Sequence, residues 1–144
     1  MGKLFVTFLV MASLALAGAS AAAAESYYTN YRNGVKYMKK RQYDKAALEF
    51  TKALQANPRF ANAYTLRGVA YAAGGRFDQA MADSNKAVEL NPRSAMAYET
   101  RAIGYYAQKR YDKAWDDVRK AKSLGYKVDS KFLQKLRQAS GRQN

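Results

Sequence analysis

Apolar and small residues recur at helical spacing from Ala61 to Ala73, at Tyr64, Leu66, Gly68, Val69, Ala70 and Tyr71. Gly74-Gly75 breaks that helix. A second helix restarts over Phe77 to Leu90, with Asp78 in its first turn, where a carboxylate suits the positive end of the helix dipole. Ala80, Met81, Ala87, Val88 and Leu90 form its inward face. Asn91-Pro92 ends it, because the residue before a proline is pushed out of helical geometry. The same plan predicts helices over Tyr27 to Met38 and Tyr43 to Ala56 ahead of this pair, and over Tyr98 to Ala107 and Tyr111 to Leu124 behind it.

The three pairs are copies of one unit. Tyr37, Tyr71 and Tyr105 stand 34 residues apart, as do Asp44, Asp78 and Asp112, Ala46, Ala80 and Ala114, and Ala53, Ala87 and Ala121. Gly34 and Gly68 are followed in step by Ala102, and Pro58 by Pro92. A period of this length predicts a solenoid of stacked units rather than one globular core. The small residues at Gly34/Gly68/Ala102 and Ala46/Ala80/Ala114 mark places where two helices cross closely. The repeated tyrosine fills the wider gap beside them. A stacked array of this kind offers a surface for holding something more readily than a pocket for chemistry.

The first copy is the most polar, with Asn30, Asn33 and Lys36 at positions that are Tyr, Arg and Ala or Gly later; a terminal repeat is expected to be atypical. The third copy ends without Asn-Pro. Gly125 suits a left-handed C-terminal cap with Tyr126 as its apolar contact. Asp129-Ser130 then offers an N-cap. Phe132, Leu133 and Leu136 form one stripe on a last helix over 130–139, which would cover the open face of the third pair. Residues 140–144 are expected to fray.

Tyr64-x-x-Arg67-Gly68-x-x-Tyr71, followed by Ala80 and Pro92, resembles the tetratricopeptide repeat, with Tyr in place of Trp and Arg67 in place of Leu. Three copies, over about 27–60, 61–94 and 95–128, cover most of the chain behind residue 24. The resemblance implies an all-α, right-handed superhelical solenoid of three helix–turn–helix units plus a C-terminal capping helix. It implies that the first helix of each pair lines a concave groove. The inward positions would be Tyr28, Tyr31, Val35 and Met38; Asn62, Thr65, Leu66, Val69 and Ala72; and Met96, Glu99, Thr100, Ile103 and Tyr106. Val35, Val69 and Ile103 would draw an apolar line along it, flanked by Tyr28, Tyr31 and Tyr106. Such a line is either exposed for a partner or covered as core. Some members of the family grip an acidic chaperone tail with Lys, Arg and Asn. The matching positions here are Tyr31, Val35, Leu66, Met96 and Thr100, none of which binds a carboxylate as a cation would.

Residues 1–24 read as a secretory signal peptide. Lys3 precedes an apolar run of 14 residues, Leu4 to Ala17, broken only by Thr7 and Ser13, and Ala22-Ala23-Ala24 fits a cleavage site. The run falls short of the ~20 residues of a spanning helix. Cleavage is expected after Ala24, with Ala19 and Ala21 as rivals. Export, with the periplasm ahead of full secretion, is the expected destination. With no cysteine to acylate or oxidise, stability must come from packing alone.

Removing residues 1–24 takes away Lys3 and no acid, so the formal charge falls only from +14 to +13. Charge of this size bears on partners rather than on fold. It favours an acidic protein or an anionic envelope surface or polymer; nucleic acid is not expected of an exported chain. Lys39, Lys40 and Arg41, joined by Arg76, Lys109 and Arg110 at the later turns, predict a basic edge. Lys131, Lys135 and Arg137 add a basic C-terminal helix. Stacking of repeat ends into homo-oligomers stays open.

Chemistry finds little to work with. The sequence has no His and no Cys, which removes the commonest general base, the thiolate nucleophile and the usual transition-metal ligands. No catalytic residue, metal site or cofactor is expected. Asp112 and Asp116 share a helix face, but Asp116 stands three and four residues before Arg119 and Lys120, and a surface ion pair is the expected use. Arg67 with Asp83, and Arg101 with Asp117, recur in step; each Arg is expected to pair with the Asp of its own repeat or with an acid on the preceding helix. The favoured reading is a non-enzymatic adaptor that holds a segment of another protein in its groove.

Overall fold

The computed structural model describes residues 25–142, which form seven helices and no strand. They are α1 over 25–39, α2 Tyr43–Ala56, α3 Ala61–Ala73, α4 Phe77–Leu90, α5 Ala95–Ala107, α6 Tyr111–Ser123 and α7 Ser130–Ser140. The expected signal peptide, residues 1–24, lies outside the described residues. None of the described helices is long and apolar enough to cross a membrane.

Successive helices from α2 to α7 pack on one another, and α3 also meets α5 directly. The core is accordingly three clusters rather than one. Phe50 with Ala46 and Ala47 packs the first pair against Ala70 of α3, and Ala53, Leu54 and Ala63 sit between the first two repeats. The largest cluster joins Tyr98, Trp115, Val118, Phe132 and Leu136 under the last helix. The repeated small residues lie at the close crossings: Ala46, Ala80, Ala102 and Ala114 are wholly buried. A Cβ on Gly68 would stand 3.3 Å from the Ala80 carbonyl oxygen, and one on Gly34 would stand 2.5 Å from Cε1 of Phe50.

The turns follow from the sequence in detail. Helices α1, α3, α5 and α6 end in the paired backbone bonds of a left-handed cap. In α3, Arg76 N–H donates to the Tyr71 carbonyl at 2.8 Å and Gly75 N–H to that of Ala72 at 3.0 Å. The repeated tyrosines Tyr37 and Tyr105 accept the equivalent bonds from Gln42 and Arg110. At the Asn-Pro breaks, the Asn57 and Asn91 side chains accept from the backbone N–H groups of Arg59 and Arg93, the local turn that makes Asn a helix breaker. Asp129 caps α7 by accepting from Phe132 N–H at 2.8 Å. Of the tail expected to fray, residues 143–144 lie outside the described residues. Ser140 is the last residue of α7, its hydroxyl accepts from Trp115 Nε1 at 3.0 Å, and Arg142 pairs with Asp112 at 2.7 Å.

Each repeated arginine ties three helices together. Arg67 forms a two-pronged bond to Asp83, Nε to Oδ2 at 2.7 Å and Nη2 to Oδ1 at 2.8 Å, and its Nη1 donates to Thr51 of the preceding repeat. Arg101 repeats this with Asp117 and Asn85. The carboxylate bond pushes both guanidinium groups further above their ordinary range, against an opposing contribution from burial. The partner is the Asp of the same repeat, the first of the two alternatives read from the sequence. Asp116 pairs with Arg119, as the sequence spacing indicates.

Candidate concave groove

Because α3 and α5 touch, their inward faces form one concave strip. Two hollows open along it. One of about 440 Å³ is lined by Tyr31, Asn62, Thr65, Leu66, Asn91, Ser94, Ala95, Met96 and Tyr126. The next, of about 330 Å³, is lined by Val69, Ala72, Ala73, Met96, Glu99, Thr100, Ile103 and Tyr126. Met96 and Tyr126 border both, so the two are one groove. Its threonine and serine hydroxyls are already bonded within the protein: Thr65 Oγ1 donates to the Ala61 carbonyl and lies 3.1 Å from Ser94 Oγ, and Thr100 Oγ1 donates to the Met96 carbonyl. Beside the exposed Asn62 amide and the Tyr31 hydroxyl, the groove offers an apolar strip: Leu66, Val69, Ala72, Ile103 and Met96, the last 36% exposed.

At one end the groove meets an aromatic cluster. The Tyr31 ring lies 4.9 Å from Phe60 and 6.0 Å from Tyr28, and Tyr28 is largely exposed. Burial first, and Tyr28 second, raise the pKa of the Tyr31 hydroxyl. At the other end the chain itself lies over the groove. Gly125, at φ +80, turns the chain after α6. Tyr126 then reaches Glu99: its hydroxyl donates to Oε2 at 2.9 Å, while the Asp129 backbone N–H donates to Oε1 at 2.6 Å. Burial, with the Glu99 bond and charge behind it, pushes the Tyr126 hydroxyl up to about 12. Its neutral form is therefore favoured in the folded state. The docking of Tyr126 contributes fully below the ordinary tyrosine range near 10 and is lost as pH rises through about 12. An alkaline titration followed by tyrosinate absorbance should show a late-ionising phase that Tyr126→Phe diminishes; an unchanged late phase in that variant would count against this contact.

Residues 61–94 match the sequence profile of the tetratricopeptide repeat. No curated protein sequence matches the chain. Among solved structures it is similar to the first tetratricopeptide domain of Spaghetti (RPAP3) bound to the HSP90 peptide SRMEEVD, at 28% identity and a TM-score of 0.72, covering 81% of this chain and 92% of that one. It is similar to the Arabidopsis OM64 tetratricopeptide domain at 26% identity and a TM-score of 0.70, covering 83% and 95%. The TPR2B domain of yeast Sti1 in its pHsp70 complex gives 25% identity and a TM-score of 0.70, covering 83% and 99%. Residues 61–94 are a tetratricopeptide repeat, and the described helices share the all-α fold of tetratricopeptide domains.

The groove gathers Tyr31, Asn62, Thr65, Leu66, Val69, Ala72, Met96, Glu99, Thr100 and Ile103 of the positions expected from the sequence. Four expected positions do not line its hollows. Val35 and Met38 pack against Phe50 and Ala70, so the apolar line shortens to Val69 and Ile103. Tyr106 packs edge-on against Phe132 of α7 and beside Tyr111, so the last helix covers it. Tyr28 adjoins the groove through Tyr31 without bordering either hollow. The structure adds Asn91, Ser94, Ala95, Ala73 and Tyr126. Tyr126 read as the apolar companion of a glycine cap, and nothing in its sequence context pointed across to Glu99.

The basic residues separate into two groups. Lys39, Lys40, Arg41, Lys109 and Arg110 are exposed at the turns within repeats. Arg76 is less free: it pairs with Asp44 at 2.7 Å and lies 4.6 Å from the Tyr71 ring centre. Lys131, Lys135 and Arg137 are exposed on α7. Among the described residues no cluster of three or more His, Cys, Asp or Glu could hold a metal ion.

Proposed function

We propose that this chain is a non-enzymatic adaptor that holds a segment of a partner protein in its tetratricopeptide groove, and that it works in a bacterial cell envelope after export, in the periplasm. The observation that carries the first part is the apolar strip of Leu66, Val69, Met96 and Ile103, open in a groove whose threonine and serine hydroxyls are bonded internally. The similar domains of Spaghetti (RPAP3) and Sti1 are described with an HSP90 peptide and with pHsp70, which supports peptide holding as the use of this surface. The ligand differs in chemistry, because the positions that would clamp an acidic tail are Tyr31, Val35, Leu66, Met96 and Thr100. An apolar segment, helical or extended, suits the strip better. Export rests on the pattern of residues 1–24, and protein recovered from an envelope fraction should begin after Ala24.

The test is Val69→Glu, which places a charge in the middle of the strip. Crosslinked capture of an envelope protein should fall at least about tenfold, the equivalent of ~1.4 kcal/mol. The melting temperature should stay unchanged, since Val69 is only half-buried. Capture by the natural chain should hardly respond to salt, unlike attachment between exposed charges. Undiminished capture by Val69→Glu would overturn the groove reading.

A further inference from the structure

We propose that the edge of the solenoid formed by the turns within repeats docks on an anionic lipid surface, through Arg41, Arg76, Lys109, Arg110, Lys113 and Arg142. These residues come from three turns, the start of α6 and the end of α7, and the structure joins them in a row. Arg76 of the second turn bonds Asp44 at the start of α2, Gln108 of the third turn bonds Asp78 at the start of α4, and Arg142 bonds Asp112 at the start of α6. The three helix-start acids of this edge are thus each bonded already, two of them by the edge's own arginines. The other charged side chains bordering the edge are cationic. Two hollows open between successive links. One, of about 480 Å³, is bordered by Arg76, Phe77 and Gln108. The other, of about 400 Å³, is bordered by Lys109, Arg110, Lys113 and Arg142.

Backbone conformation supplies an independent observation. Arg41 and Lys109 hold φ at 57° and 59°, the left-handed region that costs free energy for any residue with a Cβ. They stand 34 residues either side of Gly75, which holds φ 76° at the same cap in the middle repeat. Glycine therefore meets the geometric need, and two of three repeats place a cation there instead. Strain kept in exchange for a side chain points to a use for that side chain. The surroundings fit a lipid headgroup layer. Tyr43, Phe77 and Tyr111 begin the helices along the edge, and Phe77, with no polar atom to offer, is 37% exposed among the cations. Basic residues with interfacial aromatic rings suit an anionic bilayer surface. A single-stranded nucleic acid would need a run of exposed rings to stack on, and only one of these three is exposed.

The experiment is co-sedimentation of the purified protein with phosphatidylglycerol–phosphatidylcholine vesicles and with pure phosphatidylcholine vesicles. Binding should require the anionic lipid and fall steeply from low to physiological ionic strength. The double variant Arg41→Gly/Lys109→Gly should weaken it about 25-fold, from about fivefold for each basic residue near such a surface. Its melting temperature should hold or rise, because glycine relieves the left-handed caps. A variant of equal charge at the far end of α6, Lys120→Gln/Lys122→Gln, should change binding by no more than about twofold if the edge makes the contact. An equal loss in that control would assign the effect to net charge and overturn the proposal. Unchanged binding in the glycine variant, equal uptake by neutral vesicles, or tighter binding to a single-stranded oligonucleotide than to the vesicles would each overturn it as well.

Discussion

Phe50→Ala will lower the unfolding free energy by about 4 kcal/mol, within the range for emptying a buried phenylalanine site. Phe50 has 0% exposure and is the largest fully buried side chain described. Its ring fills the space left by Gly34 and lies 5.8 Å from the ring of Tyr31. Helix backbones hold this site open, so it cannot collapse around an alanine. Ser84, one period later, makes the comparison. Its hydroxyl donates to the Ala80 carbonyl of its own helix at 2.7 Å, and Gly68 closes tightly over it. Ser84→Ala removes one local bond and no ring, and should cost about 1 kcal/mol or less. Urea unfolding followed by helical circular dichroism compares the two. A Phe50→Ala cost near that of Ser84→Ala would mean the ring is not packed as described.

The second large effect belongs to the arginine ties. Arg67→Leu and Asp83→Leu should each destabilise by about 3 kcal/mol, because each leaves its partner charged and shielded from water. The side chains are 17% and 8% exposed, which places the effect at the lower end of the range for wholly buried pairs. Leucine at both positions should cost much less than the sum. Replacing a buried ion pair by apolar side chains is often close to neutral, although Arg67 also bonds Thr51. A double-mutant cycle from thermal or urea unfolding reads the coupling directly. Single variants as stable as the natural chain, or fully additive losses, would remove the tie.

Period and pattern carried the fold a long way. The equivalent tyrosines Tyr37, Tyr71 and Tyr105 are all half-buried, as one repeating unit requires. Gly34 faces Phe50 and Gly68 faces Ser84, so in the first copy a ring occupies the space that the glycine leaves on the facing helix. Arg67 and Asp83 were legible for the same reason, since a pair repeated in step as Arg101 and Asp117 argues for contact. The groove was legible only in its middle, where α3 and α5 present equal faces. Val35 and Tyr106 occupy repeat-equivalent inward positions, yet their neighbours are not equivalent. Val35 lies beside the one Phe50 in the array, and Tyr106 lies under α7. The clasp of Tyr126 and Asp129 on Glu99 spans 27 and 30 residues and occurs once, so no periodicity announces it.

The arginine tie also has an absence in the row. Asn33 and Glu49 stand where the later repeats have Arg and Asp, and Glu49 turns instead to Lys52 at 2.6 Å. The first hairpin therefore has no lock of its own and leans on the second through the Arg67–Thr51 bond. At the opposite end, α7 and the Tyr126 clasp close the stack. In a row whose units are stabilised by their neighbours, such inequality gives melting a direction. On heating, the array should unzip from its front, leaving its rear hairpins standing last.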